Sequence, residues 1–80
     1  MEKYHLQEID SNAVGNRISD LIDRKGYTKK AVADMLGITP QAVNKWIYNA
    51  ESLPDLQHIV DLSTVLDCTT DYLLKGDEPP

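Results

Sequence analysis

The chain has 80 residues, 41% of them hydrophobic and none of them Phe, which is enough for one small domain with an aliphatic core. Its one cysteine, Cys68, excludes an internal disulfide, and it has no apolar run of membrane-spanning length or signal-peptide character, so we expect a cytoplasmic protein. The net charge of −5 is unevenly distributed. Residues 14–50 carry six Lys and Arg against three Asp, whereas residues 51–80 carry seven acids against one Lys. Only the middle of the chain is therefore suited to face a polyanion.

Apolar residues at helical spacing predict two helices in the first half of the chain. The stripe of the first helix is Val14, Ile18, Leu21 and Ile22, and this helix ends near Lys25-Gly26. Thr28 can cap a short second helix that Gly37 ends. This second helix directs Val32 and Leu36 inward, and Ala33 is small enough for close packing.

Thr39-Pro40 predicts the start of a third helix, because Thr is a good N-cap and Pro is tolerated in the first turn. This helix extends to Ile47 or Tyr48, with Val43 and Trp46 facing inward. We interpret Trp46 as a core residue and not as a side chain that stacks on a base.

Asp55 is the predicted cap of a fourth helix, and Thr69 that of a short fifth helix that Gly76 ends. The predicted inner stripe of the fourth helix consists of Leu56, Ile59, Val60, Ser63 and Leu66. The fold class is therefore all-α with five helices. Residues 1–12 are expected to form a flexible N-terminal arm, residues 13–76 the domain, and residues 77–80 a tail or the start of a linker.

The second and third helices, joined by the turn "GITP", have the pattern of a helix-turn-helix. The stretch "VGNRISDLIDRKGYTKKAVADMLGITPQAVNKWI", together with "LPDLQHIVDLSTVLDCTTDYLLKGD", resembles the Cro/repressor-type (XRE-type) helix-turn-helix family of lambdoid phage repressors. The resemblance covers about residues 14–77. It implies a five-helix, lambda-repressor-like DNA-binding domain that binds a palindromic operator as a dimer.

The resemblance also implies roles for individual residues. The positions that read bases in the family are occupied here by Pro40, Gln41, Asn44 and Lys45. Their chemistry agrees independently, because Gln and Asn can pair with adenine and Lys with guanine, while Pro offers an apolar surface to a thymine methyl group. The alternative for Gln41 and Asn44 is an ordinary solvated helix face.

Contacts to DNA phosphates are expected from Arg17, Lys29, Lys30, Thr39 and Asn49. Dimer contacts are expected from the last helix, at Tyr72, Leu73 and Leu74. The sequence departs from the family at Lys29, where Gln is usual. It departs again at Ile22 and Ile47, where many relatives pair Arg with Glu, and we expect these two isoleucines to touch in the core.

The sequence therefore predicts a sequence-specific transcriptional regulator, such as a phage or prophage repressor or a Cro-like protein. Its expected partners are double-stranded operator DNA and, at least on DNA, a second copy of the chain. The alternative function is a helix-turn-helix protein-interaction module, such as an antitoxin or antirepressor. No catalytic constellation, cofactor motif, small-molecule site or metal-ligand spacing is recognisable in the sequence.

Overall fold

A computed structural model describes residue 6, residues 8–49 and residues 51–77. Over these residues the chain forms five α-helices and no strand, which confirms the predicted fold class. The helices are α1 (Ser11–Arg24), α2 (Lys29–Leu36), α3 (Pro40–Tyr48), α4 (Leu56–Val65) and α5 (Thr70–Lys75). Within this described part, none of the helices has the length and apolarity needed to cross a membrane.

Each of the five helices begins at a residue whose side chain accepts a hydrogen bond from a backbone N–H of the first turn. The N–H groups of a first turn otherwise have no partner within the helix. The four predicted caps of α2 to α5 are confirmed, and their bonds measure 2.9–3.2 Å. These caps are Thr28, Thr39, Asp55 and Thr69. Local sequence chemistry therefore determines where these four helices start.

The first helix begins earlier than the predicted domain boundary at residue 13. Asp10 caps it, because its carboxylate accepts from the N–H groups of Asn12 and Ala13 at 3.0 and 3.3 Å. The last two residues of the predicted arm thus belong to α1. Residues 1–5 and 7 of that arm, and residues 78–80 of the predicted tail, lie outside the described residues.

Gly37 makes the turn between α2 and α3. Its φ of 73° lies in the left-handed region, where a Cβ would be strained. The N–H groups of Gly37 and Ile38 return to carbonyls of the last turn of α2, at 3.2 and 3.0 Å. The break "GITP" is therefore a glycine-capped helix end followed, after Ile38, by the Thr39 cap of α3.

The core lies where α1 packs on α3 and α5, α2 packs on α3 and α4, and α4 packs on α5. Its buried side chains are almost all aliphatic, as predicted from a sequence without Phe. They are Val14, Ile18, Leu21, Ile22, Val32, Ala33, Val43, Trp46, Ile59, Leu62, Leu66 and Leu73. Ile47 packs half-buried against this core, which includes Ile22, and the direct contact between the two isoleucines remains a prediction.

The predicted inner stripe of α4 is partly wrong. Leu56 is 85% exposed and Val60 is 51% exposed, whereas Leu62, absent from the predicted stripe, is fully buried with Ile59 and Leu66. At about 100° per residue, Val60 points roughly 130° away from the centre of the buried face. Because α4 carries apolar residues around most of its circumference, spacing alone does not select one face. Packing against α2 and α5 selects it.

Candidate nucleic-acid interface

Helix α3 has one face in the core and one face in solvent. Val43 and Trp46 are buried, while Gln41, Asn44 and Lys45 are exposed. Residues three and four positions apart are neighbours on a helix, so these three polar side chains form one surface. We call Gln41, Asn44 and Lys45 the α3 face. Pro40, the fourth predicted base-reading residue, is half-buried at the N-terminal edge of this face.

The start of α3 is held by the Thr39 cap, whose hydroxyl oxygen accepts from the Ala42 N–H at 3.2 Å. Thr39 is itself exposed. A hydroxyl has one donor in addition to its acceptor lone pairs, so the cap leaves the hydroxyl hydrogen free to donate to a ligand. The predicted phosphate role of Thr39 is therefore compatible with its capping role.

Gly15 fixes the position of α3 against α1. A Cβ on Gly15 would lie 2.3 Å from the Trp46 carbonyl oxygen and 3.1 Å from the Cα of Ile47. The backbones of the two helices therefore touch at this residue. This close approach orients α3 so that Val43 and Trp46 enter the core and the α3 face remains exposed.

Two of the predicted phosphate ligands, Lys29 and Lys30, are the first residues of α2. Lys30 forms an exposed pair with Asp34, with Nζ 3.2 Å from Oδ2. Lys29 donates from Nζ to the hydroxyl oxygen of Tyr48 at 2.8 Å, and its Nζ also lies 5.0 Å from the centre of that ring. Tyr48 is not among the residues predicted from the sequence to contact DNA. Its link to a lysine 19 positions away depends on how α2 and α3 pack, so spacing along the chain could not have revealed it.

Arg17 lies in a different setting from these lysines. Its Nη1 donates to the Leu73 carbonyl oxygen at 3.0 Å, and atoms of the guanidinium lie 2.8–3.0 Å from where a Cβ on Gly76 would be. Arg17 therefore caps the C-terminal end of α5, where carbonyls lack helical partners. Its predicted phosphate contact can use only the N–H groups that this bond leaves free.

The fifth predicted phosphate ligand, Asn49, is exposed and ends α3. Its N–H donates to the Lys45 carbonyl at 2.9 Å, and its Oδ1 accepts from the Glu51 N–H at 3.0 Å. The side-chain NH2 group is not used in either bond. Asn49 can therefore donate to an anion while its other groups shape the turn after α3.

Ion pairs divide the basic residues into two groups. Arg24, Lys25, Lys30 and Lys75 each lie within 4 Å of an aspartate carboxylate. Over the described residues, Arg17, Lys29 and Lys45 form no such pair. Arg17 bonds to a backbone carbonyl, and the two lysines, at the start of α2 and on the α3 face, keep a positive charge that no carboxylate within 4 Å offsets.

The predicted dimer residues of α5 do not share one environment. Tyr72 and Leu74 are half-buried, but Leu73 has no exposed surface and belongs to the core. A side chain that is fully enclosed by its own chain cannot form a surface. The assignment of Leu73 to a dimer contact is therefore corrected to a core role, and the proposal is left with Tyr72 and Leu74.

Cys68 and the acidic residues form no recognisable site within the described ranges of the chain. Burial, followed by the negative charge of Asp67, raises the pKa of the Cys68 thiol, and the nearby Lys25 only partly opposes this. A raised pKa keeps the thiol protonated and poorly reactive. Over the part of the chain that the structure describes, no three His, Cys, Asp or Glu side chains cluster in a way that could hold a metal ion.

A family model described as "Helix-turn-helix" matches residues 18–73, which include all of α2, α3 and α4. The chain belongs to this family. Among its curated relatives is the SPbeta prophage-derived uncharacterized HTH-type transcriptional regulator YonR of Bacillus subtilis, 44% identical over 63 residues. That alignment covers 78% of this chain and 56% of YonR. Repressor protein C2 of Salmonella phage P22 is 30% identical over 69 residues, covering 86% of this chain and 32% of C2.

Solved structures agree with this assignment. The P22 c2 repressor in complex with a synthetic operator has a TM-score of 0.74 at 33% identity, covering 80% of this chain and 96% of the other. The N-terminal DNA binding domain of SinR from Bacillus subtilis has a TM-score of 0.75 at 25% identity, covering 85% and 99%. The predicted resemblance to phage repressors is confirmed. This chain spans about half of YonR and a third of C2, so their names describe longer proteins.

Proposed function

We propose that this chain is a sequence-specific DNA-binding transcriptional regulator that inserts α3 into the major groove of a palindromic operator. The observation that carries the proposal is the α3 face, where Gln41, Asn44 and Lys45 are exposed together on the second helix of a helix-turn-helix. In this motif the second helix enters the groove and its N-terminal residues meet the base edges.

The chemistry of the α3 face suits base reading. The amides of Gln41 and Asn44 can each donate to and accept from one adenine, at N7 and N6. Lys45 donates to guanine O6 or N7, and no carboxylate pairs with it over the described residues. Pro40, beside this face, offers an apolar surface to a thymine methyl group.

Backbone contacts complete the proposed interface. Lys29 and Lys30 at the start of α2, Thr39 at the start of α3, and Asn49 at its end are all partly or fully exposed. Phosphate contacts fix the register of the protein on the duplex, while base contacts specify sequence. Arg17 would contribute through the N–H groups that do not bond to Leu73.

A homodimer on DNA is the second part of the proposal. The P22 c2 repressor, which shares this fold, has been crystallised with an operator. We propose that α5 supplies the dimer contact through the half-buried Tyr72 and Leu74, and that binding occludes a promoter. Two recognition helices would then lie about 34–36 Å apart, one turn of the double helix.

Selection from a randomised duplex library tests the proposal and identifies the operator in the same experiment. The expected result is an inverted repeat whose half-sites are centred about 10 base pairs apart. Fluorescence anisotropy on the selected duplex then compares wild type, Gln41→Ala, and Thr64→Ala as a control on the exposed part of α4. Losing a paired contact to adenine costs about 1–3 kcal/mol, so Gln41→Ala weakens binding about 5- to 150-fold for each half-site contacted, and the control does not.

Two results would contradict the proposal. Failure to enrich any sequence would leave the rival function, a protein-interaction module, as the better account. Enrichment of a sequence whose binding does not respond to Gln41→Ala or Asn44→Ala would mean that α3 does not read bases. Enrichment of a single half-site without its repeat would remove only the dimer.

A further inference from the structure

Tyr48 is an exposed aromatic residue that the proposed interface leaves without a role. It is the last residue of α3, and 71% of its surface is accessible. Lys29, the first residue of α2, donates to its hydroxyl at 2.8 Å and lies 5.0 Å from the ring centre. The packing of α2 on α3 thus joins the beginning of one helix to the end of the other at the surface.

The partner of Lys29 is neutral, which distinguishes it from the other bonded lysines. Lys25, Lys30 and Lys75 each contact an aspartate that offsets their charge. A tyrosine holds the ammonium group in place but leaves its full positive charge. Such an arrangement orients a cation without neutralising it, which is what an anion site requires.

The hydrogen-bond direction leaves two donors side by side. Because Lys29 donates, the Tyr48 oxygen accepts, and the hydroxyl hydrogen remains free to donate elsewhere. The ammonium group retains two further N–H donors. A cation bonded to a hydroxyl also polarises it and strengthens its donor character. The two groups together can therefore donate to two oxygens of one phosphate.

We propose that Lys29 and Tyr48 form one composite site that binds a single phosphate of the DNA backbone. This inference rests on the proposed DNA-binding function and adds Tyr48 to its interface. Lys29 supplies the charge and one donor, while Tyr48 supplies the second donor and positions the lysine. A lysine without this partner would have to lose the freedom of its four-carbon stem on binding.

The test uses Tyr48→Phe, Lys29→Met and the double variant, with Tyr27→Phe, an exposed tyrosine two residues before Lys29, as the matched control. Affinity for the selected duplex is measured by anisotropy at several salt concentrations. Tyr48→Phe is expected to raise Kd about 3- to 10-fold for each half-site contacted, with little change in salt slope, because it removes a donor and no charge. Lys29→Met is expected to raise Kd and to reduce the slope by about 1.8 for the dimer, because each of the two protomers loses one phosphate contact.

Coupling and localisation make the test specific. The double variant is expected to lose less than the product of the two single losses, because the two groups serve one site. Replacing individual phosphates by uncharged methylphosphonates is expected to weaken wild type at one position per half-site. At that same position the replacement leaves the double variant unaffected.

Three outcomes would overturn the composite site, and they differ from a failure of the proposed function. Tyr48→Phe could bind as tightly as Tyr27→Phe, the two losses could multiply fully, or no phosphate position could lose its effect in the double variant. A purely structural link between α2 and α3 would lower the free energy of unfolding in urea and leave Kd of the folded protein unchanged. If the wild-type protein selected no duplex at all, both the proposed function and the composite site would be contradicted.

Discussion

Gly15 offers a test of the fold in which two physical effects have opposite signs. It lies within α1, where alanine is about 1 kcal/mol more favourable than glycine. A Cβ at this position would, however, lie 2.3 Å from the carbonyl oxygen of Trp46 and 3.1 Å from the Cα and carbonyl oxygen of Ile47. All of these atoms are backbone, so no side-chain rotation relieves the overlap.

The geometry sets the size of the penalty. A carbon and an oxygen in contact lie about 3.3 Å apart, so α3 must move by roughly 1 Å. A gap of this size removes a quarter to a half of the dispersion attraction between the atoms it separates. Overpacking typically costs about 1–3 kcal/mol and more when the backbone must shift. With about 3–4 kcal/mol lost and about 1 kcal/mol gained, Gly15→Ala is expected to lower the free energy of unfolding by about 2–3 kcal/mol.

Urea denaturation measures this change. Unfolding is monitored by far-UV circular dichroism and by the fluorescence of Trp46, the one tryptophan in the chain. Asn16→Ala is the control, because it changes the next, exposed residue of α1 and is expected to stabilise by a few tenths of a kcal/mol. A Gly15→Ala protein that is about 1 kcal/mol more stable than wild type would show that helix propensity alone operates. The close approach of α1 and α3 would then be refuted.

Four further predictions follow from the same structure. Gly37→Ala is expected to cost about 1–2 kcal/mol, because its φ of 73° strains an alanine although no atom lies within 4 Å of the new Cβ; equal stability in urea would argue against the left-handed turn. Ile22→Arg buries an unpaired charge and is expected to cost about 3–5 kcal/mol, and adding Ile47→Glu to it is expected to restore at least half of this loss. A double variant no more stable than Ile22→Arg alone would show that the side chains at positions 22 and 47 do not touch. Leu62→Ala is expected to cost about 2–5 kcal/mol, while Leu56→Ala changes stability by less than about 0.5 kcal/mol. A larger loss for Leu56→Ala than for Leu62→Ala would support the inner face of α4 that was predicted from the sequence. Three phosphate-binding cations per protomer predict a slope of about −5 in a plot of log K against log salt for the dimer, and a slope near −10 would require basic contacts outside this interface.

Much of the candidate interface could be predicted from the sequence because it depends on local chemistry. Thr28 and Thr39 cap the helices that they were expected to cap, and Gly37 makes the turn between them. Helical spacing then directs Val43 inward and Gln41 outward. These features involve residues within about four positions of each other, where side-chain hydrogen bonds and allowed dihedral angles decide the outcome.

The errors arise where several faces of a helix are equally apolar. On α4, Leu56 and Val60 are as hydrophobic as the residues that are buried in their place, and only contact with α2 and α5 discriminates between them. On α5 the sequence could not show that Leu73 is enclosed while its neighbour Leu74 is half-buried. Periodicity gives the angle between residues on a helix, but the rotation of the helix about its axis depends on its neighbours.

The sequence by itself determined the five helices, the caps of α2 to α5, the glycine turn and the polar face of α3, because each depends on short-range hydrogen bonding and steric limits. Only the tertiary structure decided that Lys29 holds Tyr48, that Arg17 caps α5, and that Gly15 touches the backbone of α3. These contacts join residues 19 to 56 positions apart in the sequence. Their partners are selected by the packing of whole helices, which minimises exposed apolar surface over the entire chain and leaves no signature in any short segment.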